Sequence, residues 1–97
     1  MRDYEVTVIL RPDIDDAARE EVLANVEGWL THGDEESDKP NAKHWGLRTM
    51  AYPIKKYTDG YYVFYEANLD PSKASDIERN ILYSDEILRH LMVNKEA

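Results

Sequence analysis

Hydrophobic positions alternate at the start of the chain, with Tyr4, Val6, Val8 and Leu10 separated by Glu5, Thr7 and Ile9. A period of two in a stretch rich in β-branched and aromatic residues predicts a half-buried strand, which Pro12 stops. Between Asp15 and Leu30 the apolar spacing lengthens to three and four, at Ala18, Val22, Val26 and Trp29/Leu30. That period predicts an amphipathic helix. Asp13, Asp15 and Asp16 cluster where the helix dipole favours anions, and capping accounts for them without a metal.

Residues 32–44 hold one apolar residue, Ala42, together with Gly33 and Pro40, so they read as an exposed loop. Strand-like composition returns from Trp45 to Ile54. Thr58-Asp59-Gly60 carries the turn signal of a hairpin, and a third strand is expected from Tyr61 to Ala67. This strand presents Tyr61, Val63 and Tyr65 on one face and Tyr62 and Phe64 on the other, which places it centrally with something covering each side. Asp70 before Pro71 is a cap followed by the first helical position, and Ala74, Ile77 and Ile81 form the buried stripe of a second helix ending near Ser84. Ile87 to Val93 completes the pattern as a last strand, with a tail at 94–97 that should fray.

The order β-α-β-β-α-β predicts an α+β, ferredoxin-like domain over residues 1–97, a four-stranded antiparallel sheet with two helices on one face. The other face is left open, and an open face bearing aromatic residues is where such a fold meets a partner, although the fold itself fixes no function. A chain of 97 residues has room for one core.

Charge changes this picture. Twelve basic against 20 acidic residues give a formal charge of −8. By segment, residues 1–40 carry 12 acids and 4 bases, residues 41–69 carry 2 and 4, and residues 70–97 carry 6 and 4, so only the middle is net positive. Residues 39–58 contain Lys39, Lys43, Arg48, Lys55 and Lys56 and no acid, the one stretch that a polyanion approaches without like-charge repulsion. On composition alone, lysines that keep a sheet edge from aggregating explain it equally well.

Chemistry narrows the options further. There is no cysteine, which excludes disulfides, thiolate metal sites and a cysteine nucleophile. The start of the chain shows no basic-then-apolar leader and no apolar run approaches the ~20 residues of a membrane span, so a soluble cytoplasmic protein is expected, with no membrane partner. Arg11-Pro12-Asp13-Ile14-Asp15-Asp16, after the first strand, has three aspartates and no glycine and would repel a phosphate, which rules out a phosphatase loop there. His32, His44 and His90 have neither ligand spacing nor a surrounding motif, and no nucleophile motif is present, so no enzyme, metal, cofactor or small-molecule substrate is expected. Single-strand RNA modules of the same topology place a basic residue, glycine and alternate aromatics on the third strand. Asp59-Gly60-Tyr61-Tyr62-Val63 lacks the basic residue, puts Tyr62 where a small residue belongs and puts Val63 at the second stacking position.

Four blocks in order resemble the bacterial small-subunit ribosomal protein six family: Met1-Arg2-Asp3-Tyr4-Glu5; Trp45-Gly46-Leu47-Arg48-Thr49-Met50-Ala51-Tyr52-Pro53-Ile54-Lys55-Lys56; Gly60-Tyr61-Tyr62; and Asp85-Glu86-Ile87-Leu88-Arg89-His90-Leu91-Met92-Val93. The second block coincides with the acid-free stretch. The resemblance implies a non-enzymatic structural component of the small ribosomal subunit, which binds the central domain of small-subunit rRNA together with the basic small-subunit ribosomal protein eighteen. Beside a cationic partner, an acidic surface becomes part of a protein interface while the basic residues complete the RNA contact. Carried over by position, Arg2, Arg48, Lys55, Lys56 and Arg89 are candidate RNA-binding residues, and Trp45, Met50 and Tyr52 candidate partner-binding residues. The family usually has a second basic residue and often Leu at the positions of Thr49 and Met50, and starts strand two earlier, where this chain has Asp34-Glu35-Glu36-Ser37-Asp38-Lys39-Pro40. The competing expectation is a free-standing ferredoxin-like regulatory or dimerisation domain that uses its open sheet face.

Overall fold

A computed structural model describes residues 2–31 and 40–95. The elements run β1 (Arg2–Leu10), α1 (Asp16–Leu30), β2 (Asn41–Ile54), β3 (Tyr57–Leu69), α2 (Pro71–Leu82) and β4 (Ile87–Asn94). The strands form one antiparallel sheet in the order β2-β3-β1-β4, the ferredoxin-like arrangement expected. Both central strands turn one face into the core: Val6, Val8 and Leu10 of β1 lie opposite Tyr65, Val63 and Tyr61 of β3, all buried except Tyr61, which is partly covered. Leu23, Val26 and Leu30 of α1 and Ile77 and Ile81 of α2 pack into the same core, as does Ile87 at the start of β4. The period of two in β1 and the helical spacing in α1 and α2 therefore converge on one apolar layer. In α1 the helix is rotated so that Leu23 is buried while Val22, the residue expected from the spacing, is only partly covered.

Both helices begin at aspartate caps. The Asp15 carboxylate accepts from the Ala18 backbone N–H at 2.7 Å, and the Asp70 carboxylate accepts from both the backbone N–H and the hydroxyl of Ser72. These bonds satisfy donors that the first helical turn leaves without partners. The Ser72 backbone bond comes first among the causes that hold Asp70 below the ordinary aspartate pKa.

Three boundaries differ from expectation. Strand β2 begins at Asn41, with Asn41, Ala42 and Lys43 opposite Glu66, Tyr65 and Phe64, so the last residues of the expected 32–44 loop are paired strand; its 32–39 portion lies outside the described residues. The hairpin turn is Lys55-Lys56, not Thr58-Asp59-Gly60, because Ile54 pairs with Tyr57 and residues 57–60 belong to β3. At the other end, Asn94 is still in β4 and the Lys95 N–H donates to the Asp3 carbonyl at 2.9 Å, so the expected tail is anchored as far as it is described.

Candidate interface on the open sheet face

The helices cover the face that carries Val6, Val8, Val63 and Tyr65. Strand alternation sends Glu5, Thr7 and Ile9 of β1, Tyr62, Phe64 and Glu66 of β3, and Arg89, Leu91 and Val93 of β4 to the opposite face. None of those nine side chains reaches full burial, and Leu91 is 62% exposed. Strand β2 joins this face through an irregularity. Its register shifts between His44 and Gly46, where Gly46 has φ +80°, a conformation that costs a non-glycine residue about 1–2 kcal/mol. The shift lays Trp45 flat on Phe64, with ring centroids 5.6 Å apart and 4° between planes.

Beyond the bulge, Arg48 faces Gly60 across the ladder. Gly60 is there for space: a Cβ on it would run into the Cγ2 methyl of Ile9, held on a stiff β-branched stem, and would lie 3.5 Å from Met50 Sδ. This explains a glycine that, in sequence, signals a turn. Met50 and Tyr52, from the far half of β2, line with Ile9, Tyr62 and Arg89 a groove of about 190 Å³. Arg89 also borders a second hollow on the same face, of about 280 Å³, with Thr7, Ile9 and Leu91.

The turn that ends β2 carries Lys55 at φ 49° and Lys56 at φ 75°. Positive φ at both positions is the type I′ hairpin turn, which Asn-Gly adopts readily and two lysines adopt only under strain, at about 1–3 kcal/mol each. The turn is tied to the β1–α1 loop. The Arg11 guanidinium donates to both oxygens of Asp13, from Nε at 3.1 Å and Nη2 at 3.0 Å, and the Tyr57 hydroxyl donates to Asp13 Oδ2 at 3.0 Å. The hydrogen bond from Arg11, aided by that from Tyr57, holds the Asp13 carboxyl below the ordinary aspartate pKa, and the reciprocal bond raises Arg11.

The sequence candidates therefore separate into groups. Arg48, Arg89, Trp45 and Met50 share the open face, Tyr52 meets Arg89 across the groove, and Lys55 and Lys56 project at the hairpin end. Trp45 is 47% and Tyr52 76% exposed, whereas Met50 is only 8% exposed and forms groove wall rather than free surface. Arg2 stands apart, at the far end of β1 opposite Leu69 and therefore on the alternation that leads to the helix side. Arg48, Lys55, Lys56 and Arg89 are all exposed and make no ion pair among the described residues, whereas Lys43 and Lys95 both approach Glu66, at 3.5 and 3.6 Å. The motif reading missed Ile9, Tyr62, Leu91 and Val93; alternation in β1, β3 and β4 was the signal that placed them opposite the core.

Comparison with known proteins agrees with this architecture. The family described as Ribosomal protein S6 matches residues 3–94. Small ribosomal subunit protein bS6 of Limosilactobacillus reuteri is 37% identical, covering 99% of this chain and 97% of that protein; the protein of the same name in Moorella thermoacetica is 34% identical, covering 99% and 96%. In shape, the crystal structure of 30S ribosomal protein S6 from Thermotoga maritima superposes with a TM-score of 0.83 at 24% identity, over 98% of this chain and 88% of that one. A full-length match at this identity, on the same four-stranded sheet, has one meaning: the chain belongs to the ribosomal protein S6 family.

Proposed function

We propose that this protein, a structural and non-enzymatic component of the small ribosomal subunit as its family is, binds the central domain of small-subunit rRNA jointly with small-subunit ribosomal protein eighteen. The observation that carries the reading is the set of four exposed cations, Arg48, Lys55, Lys56 and Arg89, which make no ion pair among the described residues and gather on the open face and its hairpin end in a chain of charge −8. Cations not already held in an ion pair are the ones able to exchange water and counterions for phosphate. Trp45 and Tyr52 add exposed aromatic surface beside them, the residue type that anchors protein interfaces. Net charge opposes RNA binding by the chain alone, so a basic partner and the RNA assemble on it together. On this reading Arg2 contributes least, being remote from the cluster. The dimerisation alternative has no observation in its favour beyond the open face itself.

The test is a titration of the ternary complex formed with protein eighteen and a central-domain rRNA fragment. Arg48→Glu with Lys55→Glu should weaken assembly by more than about tenfold while leaving the melting temperature nearly unchanged, since surface charges contribute little to stability. The control is Lys73→Glu with Arg79→Glu, an equal charge change on the exposed side of α2. Arg19 is unsuitable as a control because its guanidinium packs 4.2 Å over the Tyr61 ring. Equal losses in both variants, or none in the first, would contradict the proposal.

A further inference from the structure

We infer that Arg11, Asp13 and Tyr57 act as a clamp that positions the Lys55-Lys56 turn for contact with a polyanion, an inference that rests on the reading of these lysines as rRNA contacts. Tyr57 directly follows the turn, and its hydroxyl reaches Asp13, 44 positions away in sequence, at 3.0 Å. Arg11 completes the cluster from two sides, forking onto both Asp13 oxygens and placing its guanidinium carbon 5.6 Å from the centre of the Tyr57 ring. The base of the clamp is fixed as well, since the Arg11 backbone N–H donates to the Glu86 carbonyl at 2.9 Å at the approach to β4. Arg11, Lys55, Tyr57 and Asp85 together line a hollow of about 320 Å³ beside the turn.

The clamp does two things at once. It fixes the residue that follows two lysines held at positive φ, a backbone that relaxes unless its surroundings hold it. It also occupies the Asp13 carboxylate with three donated hydrogen bonds, one of them from the residue that follows the turn, so that this acid presents little uncompensated charge to an incoming phosphate. Tyr57 and Asp13 are thus positioning residues, acting on the RNA contact through the lysines.

A double-mutant cycle separates this role from a general structural one. Four proteins are compared in the same ternary titration: wild type, Tyr57→Phe, Lys55→Ala with Lys56→Ala, and the triple variant, with a melting curve confirming that each is folded. Tyr57→Phe keeps the ring over Arg11 and removes only the hydroxyl. It should weaken assembly about threefold to tenfold in the wild-type background, the scale of one hydrogen bond, and by less than about twofold when the lysines are absent. Equal losses in both backgrounds, or no loss in the first, would overturn the clamp. Wild-type affinity in the lysine variant would overturn the turn's role as an RNA contact and the clamp with it, whereas a lysine-dependent loss with no Tyr57→Phe effect would overturn the clamp alone.

Discussion

Lys55 and Lys56 hold a backbone conformation that few residues adopt, at a position that hydrogen-bonding geometry alone would give to asparagine and glycine. Replacing them as Lys55→Asn with Lys56→Gly should raise stability by about 1 kcal/mol, since both residues then occupy the left-handed region with less strain. The same change removes two cations from the proposed RNA contact and should weaken ternary assembly. Chemical denaturation and the titration, run on one preparation, check both directions; a variant that is less stable, or that assembles as well as wild type, contradicts this account of the turn. The pair also shows where the sequence misleads. Asp59-Gly60 is the stronger local turn signal, and nothing in Lys55-Lys56 marks a turn, because Gly60 answers to the Ile9 methyl across the sheet and not to its own backbone.

Among the elements, β1 was the most legible, because Tyr4, Val6, Val8 and Leu10 are buried on one face and a strand's period leaves no other choice of face. Helix α1 was less so: Val22 and Leu23 are adjacent and both apolar, and only packing against the sheet decides which turns inward. The start of β2 at Asn41 was invisible in a polar stretch, since its pairing with β3 is made by backbone groups whatever side chains it carries. For the same reason of distance, the contact between Asp13 and Tyr57 leaves no local pattern to read. Asp13 and Asp70, which fix the β1–α1 loop and the start of α2, supply a prediction at this scale. Both have a folded-state pKa below the unfolded value, so each contributes stability that is complete above the unfolded aspartate pKa and is lost as pH falls through the folded one. Stability measured between pH 6 and about pH 2 should therefore fall less steeply on the acid limb for Asp13→Asn with Asp70→Asn than for wild type. Parallel acid limbs would show that neither carboxylate is held more tightly in the folded chain.

In the whole molecule, the proposed function gives an acidic chain a separate surface for charged partners. The helices occupy one face of the sheet, and Arg48 and Arg89, which make no ion pair among the described residues, lie with the exposed Trp45 and Tyr52 on the other face, with Lys55 and Lys56 at the hairpin end, so approach from the sheet side meets the least repulsion. The family resemblance and the acid-free stretch both pointed to residues 45–56, but only the fold brings Arg89, more than thirty residues further on, to the groove that Met50 and Tyr52 line. Hydroxyl-radical footprinting of the ternary complex tests this division of the surface most directly, because exposed aromatic and aliphatic side chains on both sides report in one experiment. Trp45, Tyr52 and Leu91 should become protected when protein eighteen and the rRNA fragment bind, while Leu82 and Tyr83, 70% and 77% exposed at the end of α2, remain as reactive as in the free protein. Protection of Leu82 and Tyr83 with Trp45, Tyr52 and Leu91 unchanged would contradict the account.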